Sequence, residues 1–334
     1  ACNLSYLQTD WYIDQMKRPY YESPALPISW EYKDYMPGKN EYVRVDTRNT
    51  TPLEVKRAFQ FLHSEDKRTK FDGDNYIPSN QLYIKSPDGE KVMLKKASHF
   101  TRSELMVMEM LSTNQWKRPM YFAVTIGNDY HLGLDPYLEL TGMAYRITPE
   151  RSEDGRPRVN TAEMYENMMH QFRFGNVNQP GIYLDENTLR MCRTHRMMFA
   201  QLAEALYMEG WQTEDTLVRK EKHAKALQVL DYADEMLPAC NVSYDHTSVS
   251  MAALYYELDQ PEKANTIMQA MADNAIEYIQ WGASLDSQRR SSAQSTINNY
   301  IAIFDYVMRN FMRFEQKELF NQYFDVYKSL GLNE

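Results

Sequence analysis

Tyr255-Tyr256-Glu257-Leu258-Asp259-Gln260-Pro261-Glu262-Lys263-Ala264 reads as the end of one helix, a tight turn and the start of a second helix. Met268 and Met271 continue the apolar face of that second helix. An earlier copy precedes it. Ala203, Ala205, Leu206 and Tyr207 mark its first helix, and after a long insertion Ala226, Leu230, Ala233 and the closing Pro238 mark the second. Alanine at such positions lets helices approach closely. From Asn187 onward the sequence is almost wholly helix-patterned. The last helices, roughly 291–313 and 315–330, place Tyr300, Phe304, Val307, Phe311 and Phe314 at helical spacing, lack the turn signature, and read as a cap.

Outward from there, Asn176 to Tyr183 reads as a loop and sets the predicted boundary between a domain at 1–175 and one at 184–334. Before it come a helix over about 161–173 and a charged, aperiodic stretch over 150–160 that reads as an exposed loop. The first half alternates strand and helix patterns, which predicts mixed α/β layers. Residues 1–7 read as a strand. Thr9 or Asp10 is placed to cap a helix through residues 11–18. Glu41 to Asp46 alternates like a half-buried strand, and Pro52 sits where helices start. Residues 81–85 and 91–94 flank a Pro-Asp-Gly turn and predict a hairpin. Ser103 to Thr113 reads as a helix, 119–125 as a central strand covered on both faces, and 142–147 as a further strand.

The chain has 334 residues, long enough for two domains. Its net charge of −9 argues against nucleic acid or anionic lipid as the main partner. Mean hydropathy is −0.65 and no apolar run reaches membrane-spanning length, so this stretch does not cross a membrane by itself. Three cysteines, Cys2, Cys192 and Cys240, are too few for a disulfide framework. Ala1 stands where Met would, inside a strand-like segment, and the chain reads as a fragment of a longer protein.

The search for chemistry yields little. The seven histidines form no His-x-Glu, His-Glu-x-x-His or His-x-His arrangement. Cys192 and His195 are spaced like half a zinc site with no second half, so no metal and no cofactor are expected. There is no Gly-x-Ser-x-Gly elbow or phosphate-binding glycine loop, and no catalytic residue is assigned. The most suggestive polar stretch runs from Gly127 to Pro136, after an apolar strand, where open α/β sheets bind ligands. Asp129, His131 and Asp135 in it are candidate ligand-binding residues, or else a turn whose side chains satisfy local backbone. Trp11 and Tyr12, with Tyr20, Tyr21, Trp30, Tyr32 and Tyr35, form a dense aromatic region that would suit a sugar ring or core packing.

Two resemblances carry further. The 255–264 stretch resembles a tetratricopeptide repeat, which implies stacked helical hairpins and a concave binding surface. Asn3 to Arg18 with Pro27-Ile28, Arg118 to Thr125, and Gly142 to Pro149 resemble, in order, the Bacteroidetes domain-of-unknown-function 2723 family. That resemblance implies multi-pass inner-membrane proteins akin to GT-C glycosyltransferases, including protein O-mannosyltransferases, whose catalytic acids would lie upstream of Ala1. The expectation is therefore a mixed α/β domain followed by an all-α tetratricopeptide-like domain, at the periplasmic face of the bacterial inner membrane. Its implied role is accessory, with its own upstream membrane domain, a protein or peptide acceptor and a glycan as implied partners. The alternatives are a self-contained protein-binding scaffold, and a carbohydrate-active enzyme with a site near Asp129 and His131.

Overall fold

The computed structural model describes Asn3, residues 5–19, Ala25 and residues 42–330. Contacts divide the chain into two units, one running to Asn160 and the other from Thr161. The 176–183 stretch thus falls within the second unit, where the Asn241 amide donates to the Val177 and Gln179 carbonyls at 2.8 Å each.

Of the strand predicted over residues 1–7, the described residues Asn3 and Ser5 to Leu7 form a turn and the start of a 3-10 helix. The Asn3 side-chain oxygen accepts from the Ser5 and Tyr6 amides at 3.0 and 3.4 Å, and such a local turn competes with extended chain. A 3-10 turn, Tyr6–Gln8, leads into helix α1, Asp10–Met16. Strand β1, Tyr42–Val45, alternates as its sequence predicts, with Val43 and Val45 buried. β2, Leu53–Glu54, comes next, and helix α2 is Val55–Leu62. The helix starts beyond Pro52 because Leu53 and Glu54 are taken up in pairing with a later strand, Leu82–Lys85.

The remaining strands of this part are β3, Lys70–Phe71; β4, Asp74–Ile77; β5, Leu82–Lys85; β6, Lys91–Met93; and β7, His99–Thr101. They form two small mixed sheets, ordered β3-β4-β1-β7 and β2-β5-β6. The predicted hairpin is β5 and β6, in register Tyr83↔Met93. Its turn needs Gly89, whose φ of +86° an L side chain rarely adopts.

Helix α3, Arg102–Asn114, has apolar residues on every side and is buried on every side: Leu105 to Leu111 without a break. Burying each large apolar side chain contributes roughly 1.5–3 kcal/mol, so this helix is the centre of the first core. Its start is fixed by a reciprocal cap. Thr101 Oγ1 accepts from the Glu104 amide and Glu104 Oε2 accepts from the Thr101 amide. Lys95 Nζ lies 2.6 Å from Glu104 Oε1.

A third sheet, ordered β11-β9-β10-β8, is made by β8, Tyr121–Ala123; β9, Leu138–Leu140; β10, Ala144–Ile147; and β11, Arg158–Val159. The predicted central strand at 119–125 is instead an edge strand. β8 pairs with β10 on one side, and only Phe122 of its three residues is buried. The 150–160 stretch ends in β11, paired in parallel with β9, and buries Ser152.

The second unit is helical. α4, Thr161–Glu166, runs into a π-helical turn, Asn167–Gln171. Six helices follow: α5, Glu186–Gln212; α6, Thr216–Met236; α7, Ser248–Glu257; α8, Pro261–Ser284; α9, Ser287–Arg313; and α10, Lys317–Ser329. They pack as consecutive hairpins, α5 on α6, α7 on α8 and α9 on α10, with α5 also meeting α7 and α8 meeting α9. The long insertion expected in the first hairpin is absorbed by the lengths of α5 and α6, which are joined by a short turn capped by Asp215. Glycines permit two close crossings. A Cβ on Gly210 would stand 2.5 Å from His223, and one on Gly282 would stand 2.6 Å from Ile297.

The turn at 258–261 recurs where the sequence shows no signature. Asp259 and Glu315 both have φ of +56°. The Gln260 amide returns to the Tyr255 carbonyl at 2.9 Å, and the Gln316 amide to the Phe311 carbonyl at 2.8 Å. The two turns touch: Tyr256 stacks on Phe314 with ring centres 4.4 Å apart, and the Asn265 amide donates to Gln316 Oε1. α9 and α10 are therefore a third hairpin built on the same turn.

Between the first two hairpins, Arg196 of α5 is fully buried and donates to the Leu237, Val242 and Ser243 carbonyls at 2.7, 2.6 and 2.9 Å. Half-buried Tyr244 and buried Tyr255 and Tyr323 donate to carboxylates: Tyr244 to Asp234 at 2.6 Å, Tyr255 to Asp231 at 3.0 Å and Tyr323 to Asp273 at 2.7 Å. Burial first, and the partner carboxylate second, push each phenol well above its ordinary pKa.

Arg196→Met leaves three carbonyls without their donor, and the expected loss is about 3 kcal/mol of unfolding free energy, read as a lower urea midpoint at unchanged slope. Glu104 supplies a pH signature. Burial raises its pKa, but hydrogen bonds from Lys95 and Thr101 outweigh this and hold it below the ordinary 4.5. Its contribution is therefore present above that value and is lost as pH falls through the lowered one. The stability gap between wild type and Glu104→Gln should be widest near neutral pH and close in acid, as followed by circular dichroism.

Candidate functional site

The 127–136 stretch is a pair of 3-10 turns, Asn128–His131 and Asp135–Tyr137, joined through Leu132 and Gly133 at positive φ. Lys95 holds it from two sides. Its amide donates to the Leu132 carbonyl at 2.7 Å and its Nζ to the Asp129 carbonyl at 3.0 Å. Gly133 lies so close that a Cβ would stand 2.8 Å from the Lys95 amide nitrogen.

Within this turn His131 and Asp135 come together and Asp129 does not join them. His131 is 1% exposed, and its Nδ1 lies 2.9 Å from Asp135 Oδ1. The ring stacks on Phe122 at 5.2 Å and meets Tyr145 edge-on at 5.7 Å. Burial, and then the Asp135 carboxylate, hold the Tyr145 phenol above its usual pKa. His131 Nε2 is buried with no hydrogen-bond partner among the described residues. Asp129 is exposed and tied to the fold through its backbone. A ring covered on this scale offers no face to a substrate. The geometry is that of a histidine used as a packing aromatic, oriented by one carboxylate.

Trp11 and Tyr12 sit in α1 beside Tyr6. Tyr12 is buried and its hydroxyl accepts from the Asn3 amide at 2.8 Å. Trp11 and Tyr6 are exposed, with ring centres 5.8 Å apart. Tyr20, Tyr21, Trp30, Tyr32 and Tyr35 lie outside the described residues. Cys192 and Cys240 are free thiols, and Cys2 lies outside the described residues. Among the described residues no group of three or more His, Cys, Asp or Glu is placed to hold a metal ion, and no helix is long and apolar enough to cross a membrane.

Residues 1–166 match the family model described as TMEM260-associated domain 2. The matched residues take in the first unit and α4, the first helix of the second. The match is consistent with an accessory or interaction domain of a membrane protein. No curated protein and no solved structure matches the chain.

The helical hairpins lie beyond the matched residues and carry a surface that the sequence pattern did not single out. One helix of each hairpin, α5, α7 and α9, contributes to a groove of about 380 Å³. Tyr207, Met208, Leu254 and Tyr306 supply its apolar lining, and Glu204, Glu257 and Arg313 its charges. Arg313 lies 2.9 Å from Glu257, whose other oxygen accepts from the Tyr207 hydroxyl at 3.3 Å. His223 backs Tyr207 in a stack at 4.7 Å. Tyr207 was legible as a helix-face residue. Its position on a groove depends on the third hairpin, which the sequence hid.

If His131 is a packing aromatic, His131→Phe should keep the fold and shift stability by less than about 1 kcal/mol, whereas His131→Ala should cost about 2–4 kcal/mol through the cavity left against Phe122. Thermal unfolding of the two variants measures this.

Proposed function

We propose that the chain is an accessory region of a membrane-embedded, glycosyltransferase-like protein at the periplasmic face, and that its helical hairpins bind a protein or peptide partner. The observation that carries this reading is the groove along α5, α7 and α9, where exposed Met208 and Tyr306 lie beside buried Leu254. Stacked helical hairpins use such grooves to hold extended or helical segments of other chains. The TMEM260-associated match supports the accessory role. The glycosyltransferase-like and periplasmic parts rest on the resemblance of the 3–18, 118–125 and 142–149 blocks. The exposed rings of Tyr6 and Trp11 would suit a glycan near the other unit. No catalytic role is assigned to this stretch of chain.

Photo-crosslinking from within the full protein, in its own cells, tests the groove. A benzoylphenylalanine at exposed Ser250, in the groove, should give adducts that mass spectrometry maps to one short segment of one partner. The same group at exposed Glu262, outside the groove lining, should not. Identical adducts at both positions, or none at Ser250, would remove the reading.

A further inference from the structure

The net charge of the chain is unevenly divided. Residues 1–160 hold 22 Asp and Glu against 22 Lys and Arg, whereas residues 161–334 hold 24 against 15, so the whole −9 belongs to the helical unit. The groove on that unit is acidic in a specific way. Its one cation, Arg313, is paired with Glu257. Glu204 is exposed and has no ion-pair partner among the described residues. What the groove leaves unsatisfied is therefore a carboxylate beside an apolar floor of Met208, Leu254 and Tyr306.

We propose that this groove takes a cationic amphipathic helix from a partner protein, with a Lys or Arg meeting Glu204 and apolar side chains covering Met208, Leu254 and Tyr306. The proposal rests on the groove being the interaction surface and adds the chemistry of its occupant. Length agrees with this. Ala200 to Met208 line the groove along α5, which at about 1.5 Å per residue is about 12 Å, or two helical turns of a partner. Charge agrees as well. Fields of one sign steer oppositely charged partners to a surface and repel like-charged ones, so an acidic peptide or an anionic lipid surface meets repulsion from the whole unit.

The test uses the 334-residue chain and three labelled amphipathic peptides that share one leucine pattern and carry Lys, Gln or Glu at the polar positions. Fluorescence anisotropy should rank them Lys over Gln over Glu, with the preference for Lys shrinking as added salt shortens the screening length. Glu204→Lys, on an exposed position, should weaken the Lys peptide about tenfold and leave the Gln peptide unchanged. Ser250→Trp, which fills the groove, should abolish binding of all three, with circular dichroism confirming that both variants fold. If the peptides bind alike and Glu204→Lys changes nothing while Ser250→Trp still blocks them, the charge assignment is overturned and the groove stands. If binding is absent, or is indifferent to Ser250→Trp, the groove reading and the charge assignment fall together.

Discussion

The helical unit turns on one buried cation. Arg196 gives its hydrogen bonds to three backbone carbonyls, one at the end of α6 and two in the segment that leads into α7. The Leu237 carbonyl lies where α6 has run out of amide partners and where its dipole is negative, and the Val242 and Ser243 carbonyls belong to the connection before α7. A planar guanidinium with five donors can serve all three at once, whereas an ammonium presents a point charge. Burial pulls the Arg196 pKa below the ordinary arginine value, and the nearby Asp245 carboxylate opposes that. The bonds fix how the first hairpin hands the chain to the second, and with it the angle at which α5 and α7 share a groove.

The sequence made the middle hairpin plain because its turn uses residues with strong local preferences, ending in a proline that begins α8. The third hairpin uses the same backbone geometry with Phe314, Glu315, Gln316 and Lys317. None of these residues announces a turn, and the left-handed Glu315 stands between Phe314, stacked on Tyr256, and Gln316, which accepts from Asn265. A local propensity cannot reveal what a tertiary contact enforces. The first hairpin is legible in Ala203, Ala226 and Ala233, which sit at zero exposure between helices. Its extra residues read as an insertion because helix length beyond the repeat has no marker other than the absence of a break.

In the first unit the strand β1 is readable from its alternation and the β5–β6 hairpin from its Pro-Asp-Gly turn, and helix α3 reads as a helix over Ser103 to Thr113. The 119–125 run is not readable in this way, since an apolar stretch says that burial occurs but not on which faces. Phe122 is the one buried side chain of that run, stacked on His131, with half-buried Met120 packed against the same core. The same contact explains the 127–136 stretch. The sequence offers Asp129, His131 and Asp135 together as residues that could converge on a ligand. It could not show that Phe122 and Tyr145 would cover the imidazole, because those partners come from β8 and β10.

The tyrosine–carboxylate pairs have a spectroscopic consequence. Tyr244, Tyr255 and Tyr323 each keep their proton between the ring oxygen and an aspartate, well beyond the alkalinity at which an exposed phenol ionises. Removing that proton would set a phenolate against an aspartate, so the ultraviolet absorbance of phenolate at those rings should rise only beyond the alkalinity at which an exposed tyrosine ionises.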